Sequence, residues 1–289
     1  MPRWQKLFTA LREHDIQVSA DDLPRPVGGG DISSAWRVKT EGNAVFLKTG
    51  PASQLDMFLA EADGLKELEK ADAIRVPKVL GCVCSGEESL LALEWIDFEL
   101  ASDSSEWMLG RNLAMLHRFT AEQFGWRRDN AIGRTPQHNP WSDDWVEFFK
   151  VQRIGYQLQL AEQNGFNGQI QTMGTRLLDG IGRFFPGYWP EASLLHGDLW
   201  GGNWAASDGV PVIFDPAVYY GDRETDIAMT RLFGGFGAAF YEAYEDAWPM
   251  AEGYAERQRL YQLYHVLNHL NLFGTAYLGR AESLLRELT

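Results

Sequence analysis

The sequence of 289 residues contains only two cysteines, Cys82 and Cys84, both within "GCVCSG". They lie too close together on one predicted strand to form an ordinary disulfide framework, and the chain has no second cysteine pair that could complete a zinc site. We therefore expect two free thiols in a cytoplasmic protein, because a reducing compartment keeps thiols unpaired.

Long apolar runs and positive charges are also scarce. No stretch of about 18 uncharged apolar residues could span a membrane, and the opening "MPRWQKLFTALREHDIQV" predicts an amphipathic helix and not a signal peptide. With 26 Lys and Arg against 40 Asp and Glu, the net charge is −14, which disfavours a nucleic-acid partner. The acidic surface either serves solubility alone or attracts a cationic substrate.

The order of patterns along the chain predicts an α+β protein in two parts. Residues 1–95 carry strand-like runs and one main helical pattern, "SQLDMFLAEADGLKELEKA". After Ile96 the pattern changes to long amphipathic helices, at 105–124, 141–163 and 256–288. We expect a sheet-based N-terminal domain over 1–95 and a mostly helical domain over 96–289. The predicted strands are "SSAWRVKT", "NAVFLKTG", "RVPKVLGCVC" and "SLLALEWI".

One short β-hairpin interrupts the helical part. "NWAAS" and "VPVIFD" are joined by "DG", a typical two-residue hairpin turn. The preceding stretch "LLHGDLWGGNW" is therefore predicted to be a loop that leads into the hairpin, and Asp215 ends the hairpin.

Three acidic and amide side chains around this hairpin have the spacing of a kinase site. Phosphoryl transfer from ATP needs a base near the attacking hydroxyl, oxygen ligands for Mg²⁺ and a cation on the phosphates. Asp198 is the candidate base, and Asn203, five positions later, and Asp215 are candidate Mg²⁺ ligands. The D-x-x-x-x-N spacing is that of kinase catalytic loops, and "FDP" occupies the place of their Asp-Phe-Gly.

The N-terminal part supplies the remaining components in kinase order. Lys48 ends the strand "AVFLK" and would hold the ATP phosphates, and Glu61 on the next helix would be its ion-pair partner. The glycine-rich turn "VGGGDISSAWRV" would bring backbone N–H groups and hydroxyls to the phosphates. Each feature alone has a structural explanation, such as a turn, a helix cap or a solvated lysine, but their order favours a kinase-like site. The expected nucleotide contacts in the turn are Gly28, Gly29, Gly30, Ser33 and Ser34.

At these residues the chain resembles the fructosamine kinase family, or ketosamine-3-kinases, within the wider aminoglycoside phosphotransferase and choline kinase-like group. "HGDLWGGN" is shared with the wider group, whereas "TPQHNPWSDDWVEFFKVQR" and "DPAVYYGDRETDIAMTRLFGGF" resemble the fructosamine kinases in particular. The resemblance implies a bilobal protein-kinase-like fold, with an antiparallel sheet and one main helix in the N-terminal lobe. It also implies ATP-dependent phosphorylation of the 3-hydroxyl of fructosamines or ribulosamines, small or protein-bound, which destabilises the adduct. It implies a hinge at Glu94, Trp95 and Ile96 that meets adenine. In the glycine-rich turn, Asp31 stands where some relatives carry a cysteine, so a redox switch in this loop is not expected.

Several further residues have both a structural and a functional interpretation. Trp200 either packs in the core or stacks on the substrate. His265 and His269, one helical turn apart with Asn268 between them, either pack or contact the substrate. We expect His196 to shape the loop by hydrogen bonding.

Two other functions remain open at this point. One is a kinase for another amino-alcohol, such as an aminoglycoside or choline, which would use the same Asp198, Asn203 and Asp215. The other is a non-catalytic nucleotide-binding pseudokinase, which the sequence argues against because the lysine, the base and the metal-binding aspartate are all retained.

Overall fold

The computed structural model describes residues 3–13, 16, 18, 23–28, 34–40 and 43–289. Gly29, Gly30, Asp31 and Ser33 of the predicted glycine-rich turn lie outside these residues.

A five-stranded antiparallel sheet forms the N-terminal region, in the order β1-β2-β3-β5-β4. All four strand predictions are confirmed, and a short first strand is added. The strands are β1 (Arg25–Val27), β2 (Ser34–Lys39), β3 (Ala44–Pro51), β4 (Val79–Ser85) and β5 (Glu88–Glu94). Because side chains alternate between the two faces of a strand, the sheet has two different apolar faces.

Two helices cover these faces, and both were predicted. Helix α1 (Arg3–Glu13) packs on one face through a small core that contains Leu7, Leu11, Leu47 and Leu90. Helix α2 (Leu55–Lys70) has its apolar residues at helical spacing and packs on the other face. Lys48 lies on β3 between Leu47 and Thr49, so its side chain points to the side of α2.

The C-terminal region is mostly helical, and several predicted helices are shorter than expected. The helix predicted to reach residue 124 ends at His117, and the one predicted from 141 begins at Trp145, with the Asp144 side chain as its N-cap. Its middle turn, Phe149–Gly155, is a π-helix. The final predicted helix is broken at Gly274, whose φ of +81° is accessible to glycine at little cost. The helices are α3 (Asp103–His117), α4 (Trp145–Phe148), α5 (Tyr156–Gln163), α6 (Gln169–Gly180), α7 (Glu224–Thr230), α8 (Ala238–Ala247), α9 (Tyr254–Phe273) and α10 (Leu278–Glu287).

Short strands hold the loops of this region in place. The remaining strands are β6 (Thr120–Ala121), β7 (Asn130–Ile132), β8 (Thr135–Gln137), β9 (Ala192–Leu195), β10 (Trp204–Ser207), β11 (Val210–Ile213) and β12 (Tyr219–Gly221). The predicted hairpin is confirmed as β10–β11, joined at Asp208 and Gly209, whereas the hairpin β7–β8 was not predicted. The buried strand β9 pairs with β12 and β6.

The main hydrophobic core joins the two regions. It contains Phe58, Leu65 and Leu68 of α2 together with residues of β5 and of the C-terminal helices. The α+β class is confirmed. Within the described ranges, every helix is too short or too polar to cross a bilayer. Cys82 and Cys84 are free thiols, as predicted.

Candidate active site

The loop after β9 carries the predicted catalytic sequence and is tightly held against the segment after Asp215. Gly197 has a φ of +82°, and a Cβ atom at this position would overlap the carbonyl oxygen of Ala217. The Ala217 N–H donates to the carbonyl oxygen of His196 at 2.8 Å. The two chain segments therefore approach so closely that glycine is required at position 197.

Asp226, on α7, holds the loop through hydrogen bonds to its backbone. Its carboxylate accepts the backbone N–H groups of His196 at 2.7 Å and Gly197 at 2.9 Å, and it also contacts Nε2 of His117 at 3.2 Å. Burial by itself would raise the pKa of Asp226, but the hydrogen bonds and the His117 contact lower it overall. Asp226 thus stays ionised as a fixed anchor for the catalytic loop.

His196 has the structural role predicted for it. Its Nε2 lies 3.0 Å from the carbonyl oxygen of Phe214, and its Nδ1 lies 3.3 Å from the backbone nitrogen of Asp198. Burial lowers the pKa of His196, which is therefore neutral near pH 7. The ring connects the catalytic loop to the end of β11 without adding a charge to the site.

Asp198 and Asn203 lie side by side in this loop. The Asn203 Nδ2 donates to the backbone oxygen of Asp198 at 2.9 Å and approaches its Oδ2 at 3.4 Å. Burial, together with the negative charges of Asp215 and Asp226, raises the pKa of Asp198 to about 7. A carboxylate with this pKa can accept a proton at neutral pH, which is the property that a general base needs.

Lys48 connects the N-terminal sheet to the C-terminal region. Its Nζ contacts Oε1 of Glu61 at 2.7 Å and Oδ1 of Asp215 at 2.6 Å. Burial would lower the pKa of Lys48, but the two carboxylates raise it above its usual value. The structure thus brings together a permanent cation and Asp215, which lie 167 positions apart in the sequence.

The predicted hinge begins at Glu94, the last residue of β5. The Glu94 carboxylate accepts from Arg75 at 3.0 Å and from the Lys78 backbone N–H at 3.3 Å. The indole of Trp95 lies beneath the guanidinium of Arg37, 4.5 Å from its carbon, and Ile96 is buried. The side chains of the hinge are therefore occupied by contacts within the protein. The described parts of the glycine-rich turn, Gly28 and Ser34, are exposed.

The four predicted substrate residues differ in exposure. Trp200 is 42% exposed beside Asp198, so the core-packing interpretation is wrong for this residue. Asn268 is buried and accepts from Nε2 of Gln157 at 3.2 Å. His269 contacts the backbone oxygen of His265 through Nδ1 at 2.8 Å and packs among aromatic rings. His265 is buried, and its Nδ1 has no hydrogen-bond partner among the described residues.

A charged cluster that the sequence patterns did not predict fixes the outer side of α2. Arg127 and Arg128 both contact Asp63 of α2, at 3.1 Å and 2.8 Å, and Arg128 also contacts Asp56 at 2.7 Å. Asp63 lies two positions after Glu61, so it faces away from Lys48 on a helix with 3.6 residues per turn. The signal was present in the paired arginines of "GWRRDN", but only the fold shows that α2 is their partner.

The residues around Asp215 fit a hard divalent cation. The Asp215 side chain is 44% exposed, and Asn203 donates through its nitrogen, which leaves its amide oxygen for coordination. Carboxylate and amide oxygens are the ligands that Mg²⁺ prefers. The Lys48 ammonium group lies at the same point, 2.6 Å from Oδ1 of Asp215.

Known proteins are similar to this chain over nearly its whole length. The family model for fructosamine kinase matches residues 3–289. A probable ketoamine kinase of Synechocystis sp. is 41% identical over 286 residues, covering 98% of this chain and 96% of that protein. The chloroplastic protein-ribulosamine 3-kinase of Oryza sativa subsp. indica is 41% identical over 264 residues, covering 90% of this chain and 76% of that protein.

Solved structures show the same fold. A crystal structure of a candidate fructosamine-3-kinase from Haemophilus somnus 129PT matches with a TM-score of 0.89 at 31% identity, covering 99% of this chain and 97% of that one. The aminoglycoside phosphotransferase APH(4)-Ia matches with a TM-score of 0.68 at 15% identity, covering 97% and 98%, which confirms the kinase-like fold alone. Because the family match extends over nearly the whole sequence, this chain belongs to the fructosamine kinase family and is an ATP-dependent kinase.

Proposed function

We propose that this kinase phosphorylates the 3-hydroxyl of the sugar moiety of a fructosamine or ribulosamine, using Mg-ATP. The contact of Lys48 with both Glu61 and Asp215 carries the proposal, because a buried cation beside a carboxylate is the arrangement that would hold ATP phosphates next to their Mg²⁺. The sugar-amine acceptor is supported by the relatives, which are named ketoamine kinase and protein-ribulosamine 3-kinase. Phosphorylation would destabilise the adduct, so that the free amine is released.

Five residues would each have a separate role in the reaction. Lys48, held by Glu61, would bind phosphate oxygens of ATP, and Asp215 and Asn203 would hold Mg²⁺. The metal would neutralise charge on the phosphates. Asp198 would accept the proton of the sugar hydroxyl while the hydroxyl oxygen bonds to the γ-phosphorus. The bond between that phosphorus and the ADP oxygen would break at the same time.

The region beside Asp198 would receive the acceptor. Trp200, two residues after the proposed base, has a partly exposed side chain, and aromatic rings stack on sugar faces and attract cationic amines. His265 would be the second contact, because its Nδ1 has no hydrogen-bond partner among the described residues; burial lowers its pKa to about 3, so the ring is neutral. We assign packing roles to Asn268 and His269, because Oδ1 of Asn268 and Nδ1 of His269 already have protein partners.

An assay of ADP release across several acceptors would test the proposal. The panel contains a fructosyl amine, a ribulosyl amine, an aminoglycoside and choline, with Asp198→Asn as the control for background hydrolysis. We expect turnover with one or both ketosamines and a phosphate on the sugar 3-oxygen, located by phosphorus NMR. Turnover with choline or an aminoglycoside, and none with either ketosamine, would show that the substrate assignment is wrong.

A further inference from the structure

The hairpin β7–β8 has buried amide side chains that neither the catalytic loop nor the metal ligands explain. Gln137 is only 1% exposed, and Asn130, its neighbour across the hairpin, is partly buried. A buried amide is costly unless its hydrogen bonds are made. The partners of these two side chains therefore show what the hairpin holds in place.

Both amides bind the backbone that follows Asp215. The Gln137 Nε2 donates to the carbonyl oxygen of Ala217 at 3.0 Å and to Oδ1 of Asn130 at 2.9 Å. The Asn130 Nδ2 donates to the carbonyl oxygen of Val218 at 2.8 Å. Because a carbonyl oxygen can only accept, both amide nitrogens must face this backbone.

A third residue fixes the orientation of the Gln137 amide. The hydroxyl of Tyr264, on α9, donates to Oε1 of Gln137 at 2.7 Å. The Gln137 amide thus makes hydrogen bonds through both its nitrogen and its oxygen, and it cannot rotate without losing them. Since His265 follows Tyr264 on the same helix, the network connects the proposed acceptor side to the proposed metal side.

The backbone that these amides hold lies between the two proposed reactive carboxylates. Ala217 donates its N–H to His196, two residues before Asp198, and follows Asp215 by two residues. Asp215 itself has a φ of +57°, which is unfavourable for a residue other than glycine and persists only where its surroundings enforce it. Anchors on both sides of Ala217 supply such surroundings.

We propose that Gln137, supported by Asn130 and Tyr264, is a positioning residue that sets Asp215 relative to Asp198. This role rests on the proposed function, since it matters only if Asp215 holds the metal of the kinase reaction. Gln137 does not contact the reacting atoms. Its effect is to keep the left-handed backbone of Asp215 aligned with the catalytic loop.

The test compares Gln137→Met with a matched variant, Gln171→Met. Gln171, on α6, also donates through Nε2 to two backbone oxygens, those of Leu158 and Phe166, at 3.0 Å and 2.9 Å. Calorimetry measures the binding of ADP with and without Mg²⁺, and this measurement needs no acceptor. The melting temperature of each variant is recorded, together with its kcat on an acceptor that the parent protein phosphorylates.

For Gln137→Met we expect Mg-ADP affinity or kcat to fall about 10- to 100-fold, the usual effect of removing a group that orients a metal ligand. ADP binding without Mg²⁺ should change less than about twofold, and Gln171→Met should lower only the melting temperature. Tyr264→Phe should give a smaller change in the same direction. This second variant keeps the test informative if Gln137→Met does not fold.

Unchanged Mg-ADP binding and kcat in a destabilised Gln137→Met would overturn the proposal. Failure of the ketosamine assignment would appear instead in the parent protein, as absent turnover with normal Mg-ADP binding.

Discussion

At the residue scale, Asp198 combines properties that favour catalysis and oppose stability. Its pKa of about 7 results from burial and from the negative charges of Asp215 and Asp226. A carboxyl whose pKa is higher in the folded protein than in the unfolded chain destabilises the fold once it ionises. Its stabilising neutral form is present at low pH and is lost as the pH rises towards 7.

The first prediction concerns Asp198→Asn, which removes the proposed base and its charge. We expect the variant to bind Mg-ADP normally and to lose at least about 10²-fold in kcat, since a positioned base contributes about that much or more. We also expect the free energy of unfolding at pH 8 to be about 1–2 kcal/mol higher than that of the parent protein. The gain is limited because Asp198 keeps some contact with solvent. Calorimetry and urea unfolding measure these quantities. A kcat within a few-fold of the parent would show that Asp198 is not the base.

The second prediction is the pH profile of the parent enzyme. Because Asp198 must be ionised to accept a proton, kcat/KM for ATP should fall about tenfold per pH unit below pH 7. His117 and His196 should not contribute, since burial lowers the pKa of both. Rates between pH 5 and 8 check this, with folding at each pH verified by circular dichroism. A flat profile over this range is incompatible with the assignment.

At the scale of secondary-structure elements, α2 is fixed on two sides. Glu61 contacts Lys48 on the inner side, and Asp63 contacts Arg127 and Arg128 on the outer side. Burial would raise the pKa of Asp63, but the two arginines lower it overall. A lowered carboxyl pKa stabilises the fold above the ordinary pKa, and this contribution is lost as the pH falls through the folded-state value.

The third prediction compares Asp63→Asn with Asp56→Asn, since Arg128 contacts both residues. The Asp63 side chain is 25% exposed and that of Asp56 is 88% exposed. We expect Asp63→Asn to cost about 1 kcal/mol at pH 7 and to raise the KM for ATP, whereas the Asp56 variant should cost less than about 0.5 kcal/mol. Urea unfolding at pH 7 and pH 3 measures the difference, which should shrink at the lower pH. Equal effects of the two substitutions would mean that the Asp63 contacts do not fix α2.

At the scale of the whole molecule, the two sequence regions share one core. Apolar residues of α2 and β5 belong to the same cluster as those of the C-terminal helices. A backbone hydrogen bond also crosses between the regions, from the N–H of Ile213 to the carbonyl oxygen of Arg75. The boundary between residues 95 and 96 stays a prediction about sequence organisation, and the shared core argues against two independently folding units.

The fourth prediction follows from that core. Fragments 1–95 and 96–289, produced separately, should each lack a cooperative unfolding transition, because each leaves apolar surface exposed that the other covers. Near-ultraviolet circular dichroism and amide hydrogen exchange of the fragments and the full chain test this. Native-like exchange protection in either fragment alone would instead support independent domains.

The predictable part of the fold was local. The strands of the N-terminal sheet, helix α2 and the hairpin β10–β11 follow from apolar periodicity and from a two-residue turn. The ends of the helices were less predictable, because Gly274 and the π-helix at Phe149–Gly155 interrupt patterns that remain helical in period. The hairpin β7–β8 was missed because its strands are only three residues long and the second contains Pro136.

The sequence by itself determined which chemical groups are available and in what order: Lys48, Glu61, Asp198, Asn203 and Asp215 at kinase spacing. Only the tertiary structure decided that Lys48 meets Asp215, that burial shifts the pKa of Asp198, and that Gln137 and Arg128 support the site. Contacts between distant residues, and the burial that shifts a pKa, depend on how helices and strands pack. Periodicity and spacing report a single stretch of chain, so they carry no information about such packing.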